Sequence, residues 1–327
     1  MSFGISNRSA IVAGLCLALA LLTVTSAATG MIDLDLSDAL RALAGGSTEY
    51  NRSLVLNIRL PRILAGAAIG VALSVSGLLT STALRNPLAD SGILGIQSGA
   101  TVGALTAILV YPELSSFFPV FAFAGGFAAF AILIFVSSTA IGFQPARVVL
   151  LGVAINSVGT AIIGIITLLN VHRVRDAMAW LNGSLAAVSR SQMSTILVYT
   201  AALATVAVLL IPVLKLLLLE DHGIVNLGYN PTALRMIVSA VAVFLAGIAV
   251  AYAGIIAFIG IIAPQLARRM VGENLSWLLP TTALTGAILV VAADLLQRVV
   301  FAPREVPVGI LIGVLGAPMF IALSRRV

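Results

Sequence analysis

The chain has 327 residues, of which 60% are hydrophobic and only 9% charged, against about 25% charged in an ordinary soluble domain. At ~20 residues per helical crossing of a bilayer, that apolar content fills about ten spans and leaves no room for an extramembrane catalytic head or nucleotide-binding cassette. The net charge of +6 comes from 18 basic residues scattered in ones and twos between apolar runs, so they read as membrane-flanking anchors and not as a nucleic-acid surface.

In chain order, Arg8 precedes an apolar run from Ala10 to Ala28. The run exceeds the ~7–15-residue core of a secretory signal and is taken as the first span. Residues 30–58 form the longest polar stretch, with Asp33, Asp35, Asp38, Arg41, Glu49 and Arg52 around Gly45-Gly46, and they predict an extramembrane segment holding a short amphipathic helix. Further apolar runs follow at 62–82, 93–110, 117–142, 147–170, 191–214, 232–252, 254–267, 277–300 and 306–324. The separators carry helix breakers, among them Asn86-Pro87, Tyr111-Pro112, Gln144-Pro145, Asn182-Gly183 and Asn230-Pro231. The stretch from Thr232 to Ala267 is too long for one span, and Gly254 is where it is expected to turn back. The expectation is one domain over residues 1–327, all-α, with ten transmembrane helices.

Counting from a cytoplasmic N-terminus, nine basic residues fall on each side, so the positive-inside bias does not orient the chain. Gly66 and Gly70, Gly99 and Gly103, and Gly309 and Gly313 are each four apart, on one helical face where another backbone approaches. Asp294 is the one acid well inside an apolar run. An intramembrane carboxylate is costly unless paired, and Arg298 stands one helical turn away to pair with it. Proton coupling through Asp294 is the alternative, which makes the chain a gradient-driven secondary transporter. His172 and His222 have no second ligand at metal spacing, so no metal site is assigned. Lys215, the only lysine, sits between leucines, so there is no phosphate-binding loop. No catalytic constellation replaces it, and any ATPase must be another chain.

Three stretches together are specific. Arg59-Leu-Pro-Arg62 runs through Gly77 to Leu84-Arg-Asn-Pro-Leu-Ala-Asp90; Ala257 to Gly272 contains Pro264-Gln-Leu-Ala-Arg-Arg269; and Ala293-Asp294 leads through Glu305-Val-Pro-Val-Gly309 to Gly316-Ala-Pro318. Their order and spacing resemble the permease subunits of ATP-driven importers for iron-siderophores, haem and vitamin B12, the FecCD-type family. The resemblance implies a type II importer permease fold in the bacterial inner membrane with both termini cytoplasmic. It also implies a second permease, two ATP-binding cassette subunits that carry the ATP, and an extracytoplasmic solute-binding protein. No cofactor is expected on this chain.

By the same resemblance, Arg59, Arg62 and Arg298 look like the outer arginines that meet the binding protein. Asn86 and Leu88, with Gln144, Pro145 and Ala146, correspond to the cytoplasmic gate. Asp221, Leu227 and Gly228 in one cytoplasmic loop, and Pro264, Arg268, Arg269, Gly272 and Glu273 in another, match segments that contact the ATPase. One departure bears on this: the family usually has histidine after the proline at 264, and this chain has Gln265.

Overall fold

The computed structural model describes residues 5–30, 48–137 and 144–324, with a few positions between 34 and 46. The described residues are helices and their connections, without strands. Helix α1 is Ile5–Ala28 and α2 is Glu49–Ala83, which contains a π-helical turn at Leu54–Arg59. A 3₁₀ turn, Ser91–Leu94, precedes α3, Ile96–Leu105, which continues as a π turn to Val110. Then come α4, Phe118–Ser137; α5, Pro145–Leu169; the short α6, Val174–Leu181; and α7, Arg190–Leu209. Two short helices, α8 (Ile211–Leu217) and α9 (Asp221–Asn226), lead to α10, Pro231–Ala253. The chain ends with α11, Ile259–Val271; α12, Leu275–Val300; and α13, Val308–Ser324.

Each of the ten apolar runs coincides with one of α1–α5, α7 and α10–α13, and seven of these helices are long and apolar enough to cross a bilayer unaided. Two boundaries differ from the expectation, and a third lies beyond what the structure describes. The second span starts at Glu49 and not near residue 62, because Thr48 caps it by accepting from the Asn51 amide and Glu49 supplies an acid in the first turn. The run at 191–214 breaks at Leu210, where Pro212 in the first turn of α8 cannot continue the ladder of α7. The end of the run at 117–142, together with Asp33 and Gly45 of the polar stretch, lies outside the described residues. Gly254 ends α10 with φ 73°, a left-handed conformation in which a β-carbon would run into the Trp180 carbonyl, so the chain does turn back there.

α2 is the axis of the bundle, with α7, α10, α11 and α12 packed around it. Between helices in lipid there is little hydrophobic driving force, so association depends on close van der Waals contact and internal hydrogen bonds. α2 answers with small buried residues: Ala65, Ala68, Gly70, Ala72, Ser74, Ser76 and Gly77. A β-carbon on Gly70 would overlap the Gly286 backbone of α12, and one on Gly77 would overlap that of Gly260 in α11. Ser76 donates to the Ala242 carbonyl of α10 at 2.6 Å. The Gly99 and Gly103 pair does the same work against α4, whereas of the third pair Gly309 is crowded by the Asn182 carbonyl and Gly313 faces open space.

Gly77→Ala is therefore expected to destabilise the protein by about 1–3 kcal/mol, the usual range for overpacking a filled interface. Gly164→Ala on α5, where nothing lies within 4 Å of the added carbon, is expected to be neutral or slightly stabilising. Thermal unfolding of the two variants in detergent measures the difference.

Candidate functional site

The charges that the sequence scatters come together at the two ends of the bundle. At one end meet the C-terminus of α1, the first half of α2, the C-terminus of α12 and the segment before α13. Asp294 is 2% exposed and receives two guanidiniums. Arg62 Nε donates to its Oδ1 at 2.9 Å and Arg298 Nε to its Oδ2 at 3.1 Å. Arg62 also reaches out through Nη1 to Glu305 Oε1 at 3.0 Å, and Glu305 is nearly half exposed. Arg298 continues inward, donating to the carbonyls of Ser26 at 3.3 Å and Thr29 at 3.0 Å and to the Ser26 hydroxyl. Arg59 donates to the carbonyls of Ala27 at 2.7 Å and Ala28 at 2.8 Å.

This differs from a face of three displayed arginines. Arg59 and Arg298 are 6% and 8% exposed, and both turn inward to the C-terminus of α1. The last carbonyls of a helix lack intrahelical donors and carry the negative end of its dipole, so they are a good place to bury a cation. Arg62 is the member of the three that also bonds to an exposed acid, Glu305. The exposed arginines toward this end include Arg52, Arg173, Arg175, Arg190 and Arg304. Asp294 has the partner the sequence named, Arg298, and a second that it did not, Arg62, 232 positions away. With each oxygen engaged by a guanidinium, its geometry is that of a clamp between α2 and α12 and not of a proton carrier.

At the other end, α2 closes in a Schellman motif, in which the Asn86 amide donates back to the Ser81 carbonyl at 3.0 Å and the Arg85 amide to that of Thr82 at 3.3 Å. Asn86 Oδ1 then accepts from the Leu88 amide at 3.0 Å, which folds the predicted gate residues into a tight turn with Leu88 exposed. Gln144 is the exposed residue preceding α5, with Pro145 in the first helical position and Ala146 exposed after it. α5 reaches the continuation of the gate turn through Asn156, which donates to the Gly92 carbonyl at 2.9 Å.

Asp221, at the start of α9, accepts a bidentate pair from Arg235 of α10 at 2.7 and 3.0 Å and a third bond from Arg85 at 2.9 Å. These contacts, led by the hydrogen bonds from Arg235 and opposed by partial desolvation, hold its carboxyl below the usual range. Leu227 and Tyr229 are exposed beside Gly228, whose φ of 83° and empty surroundings make a turn that projects from the bundle. In α11, Pro264 is buried, Arg269 is exposed, and Arg268 pairs with the exposed Glu273 at 3.4 Å across the turn at Gly272. Gln265 donates to the Pro87 carbonyl at 2.9 Å. Arg85, Arg235, Glu305 and Ser26 are the residues of these two sites that sequence reasoning left without a role. No cluster of three or more His, Cys, Asp or Glu able to hold a metal occurs among the described residues.

The sequence pattern of the FecCD transport family matches residues 17–326. The chain belongs to that family. Within it, the chain is 35% identical to the probable heme-iron transport system permease protein IsdF of Staphylococcus aureus (strain Newman), over 94% of each chain. It is 32% identical to the Fe(3+)-citrate import system permease protein YfmD of Bacillus subtilis (strain 168), over 91% of this chain and 89% of that one. A solved structure described as an inward-facing conformation of a metal-chelate type ABC transporter superposes with a TM-score of 0.88 at 26% identity, covering 98% of this chain and all of the other. PsaBC from Streptococcus pneumoniae shares the fold at a TM-score of 0.53 and 14% identity. The FecCD chain described here is thus a multi-span permease subunit of the ATP-driven importer class.

Two predictions follow from the clusters. Asp294→Ala leaves the buried Arg298 guanidinium without its acid and Arg62 with Glu305 alone, and is expected to cost about 3–5 kcal/mol. Because the residues act as one unit, adding Arg298→Leu is expected to cost less than the sum of the separate losses, as a double-mutant cycle in thermal unfolding will show. For Asp221, a folded-state pKa below the unfolded one means that its contribution is complete above about pH 4 and is lost as pH falls through the lower folded value. An environment-sensitive dye on Leu227→Cys, in a Cys16→Ser background, is expected to report loosening of this loop on acidification below about pH 4. With Asp221→Asn the loop is expected to be loose at every pH.

Proposed function

We propose that this chain is the permease subunit of a binding-protein-dependent ATP-driven importer for a ferric chelate or haem. The observation that carries the reading is similarity over nearly the whole chain to permeases named for ferric citrate and for haem iron, on one shared fold. In this reading the chain spans the bacterial cytoplasmic membrane with both termini inside. It pairs with a second permease and works with two ATPase subunits that bind ATP and an extracytoplasmic solute-binding protein. The chain itself binds no cofactor.

The chemistry of the bundle is consistent with that division of labour. A chelated metal needs no ligands from its conduit, and a conduit that bound tightly would hold its cargo. The largely uncovered span α5 offers such a surface, since the exposed hydroxyls of Ser157 and Thr160 are already spent on the Val153 and Asn156 carbonyls of their own helix. The binding protein docks at the end that carries Arg62, and the exposed arginines there steer it. Long-range charge governs the rate and register of such docking more than its affinity. Because Arg59 and Arg298 secure α1 and Arg62 clamps Asp294, reversal of any of the three to Glu would damage the fold, and the exposed Arg52, Arg190 and Arg304 are the cleaner docking probes. The gate at Asn86 and Leu88, with Gln144 to Ala146, lies at the opposite end, beside the Asp221–Gly228 and Pro264–Glu273 segments assigned to the ATPase.

The test is uptake of radio-iron ferric citrate and of haemin by proteoliposomes holding the full complex. Uptake of one of them that requires ATP and the binding protein, and that survives collapse of the proton gradient, is the expected result. Uptake that stops with the gradient and ignores ATP would overturn the reading in favour of a secondary transporter.

A further inference from the structure

Helices that end in a Schellman motif nearly always place glycine at the left-handed position, because a side chain there costs of order 1–2 kcal/mol. α2 places Arg85 there, at φ 49°. Its side chain crosses to the α8–α9 segment, where Nε donates to the Leu217 carbonyl at 3.1 Å and Nη2 to the Leu219 carbonyl and to Asp221. Two residues further on, the same turn is held from the other flank. Pro87 has no amide of its own to give, yet its carbonyl accepts from Gln265 of α11. Asp221 is in turn fixed to α10 by the bidentate bond from the buried Arg235, so α9 and α10 move with it.

We propose that Arg85 and Gln265 are positioning residues that grip the turn Arg85–Leu88 from two sides, so that displacement of α9 or of α11 is delivered to Asn86 and Leu88 as one motion. This rests on the importer reading, in which the ATPase subunits push on those two segments. The two pushes then converge on one turn of backbone, Arg85–Pro87. The grip also gives a role to the glutamine at 265. A donor is needed there to reach a carbonyl, and either an amide or an imidazole supplies one.

A strained residue that persists at a junction needs a compensating bond, and here the bonds all lead to the segment that would move. A grip made at one residue would let the turn pivot about the bond. Attachments at two residues, to two different helical segments, restrict that freedom, and the bond that Asn86 Oδ1 accepts from the Leu88 amide carries the displacement to the side chain expected at the aperture.

The experiment uses the assembled importer with Cys16→Ser and Leu88→Cys, read as the rate at which a membrane-impermeant thiol reagent labels residue 88 with and without trapped nucleotide. Arg85→Gly keeps, and even relaxes, the backbone of the Schellman motif while removing the grip. Gln265→Leu removes the other, and Gln265→His restores a donor. Each loss variant is expected to reduce the nucleotide-dependent change in labelling roughly tenfold, the size of an ordinary coupling between sites. Gln265→His is expected to retain it, and co-elution with the ATPase subunits is expected throughout. A full nucleotide response in both Arg85→Gly and Gln265→Leu overturns the grip. A parent complex whose labelling ignores nucleotide altogether overturns the importer reading with it, so the two failures are told apart by the parent.

Discussion

The last carbonyls of a helix lack intrahelical donors, and in this protein two other helices supply donors to the end of α1. Arg59 of α2 and Arg298 of α12 bond to the carbonyls of Ser26, Ala27, Ala28 and Thr29, and Arg298 shares Asp294 with Arg62. Much of that end of the bundle depends on this arrangement. Three guanidiniums face two carboxylates and the negative end of a helix, so the cluster closes on itself with little charge to spare. Its polar groups are satisfied from within, which is the condition for placing them at membrane depth. α1 also packs through an apolar seam of Leu19, Leu22 and Ala27 against Ile63 and Val291, and through Ile11 against the main core. The arginines fasten its C-terminal end to that packing.

The two ends use the same chemistry for opposite purposes. At one end Asp294 is buried, both its oxygens are taken, and the partners lie on long helices packed along their length. At the other end Asp221 is nearly half exposed, its helix is six residues long, and one of its partners sits in a strained turn. A buried pair is stiff because breaking it strands a charge, as it would for Arg235 beside Asp221, while the more exposed Arg85–Asp221 pair adds little stability and yields readily. The clamp at Asp294 suits a fixed frame, and the clamp at Asp221 suits a joint that has to move.

The helices were readable because periodicity hardly matters when every face is apolar. Run length and breakers such as Asn230-Pro231 and Gly254 set the spans to within a few residues, and the failures came where polar chemistry extends a helix, as Thr48 and Glu49 do for α2. Asp294 with Arg298 was also legible, since four residues is one turn. Its bond to Arg62 was not, because nothing local marks a contact across 232 positions. The family resemblance picked out Arg59, Arg62 and Arg298 as a set that faces a binding protein, and gave no sign that Arg59 and Arg298 turn inward. Direction is a property of packing, and the carbonyls at the end of α1 that turn Arg59 and Arg298 inward carry no signature in the side chains that own them.

The glutamine at 265 shows how a departure from a family pattern becomes informative only in three dimensions. In the sequence it weakens the match. In the fold it is a donor aimed at the carbonyl of Pro87. What the position has to preserve is a donor at a given reach, and glutamine meets that requirement. Arg85 is the complementary case, a residue that looks ordinary in the sequence and proves costly in the structure because of its left-handed backbone. One position keeps its chemistry while changing its residue type. The other keeps an unfavourable residue type for the sake of its chemistry, and both act on the same turn at the end of α2.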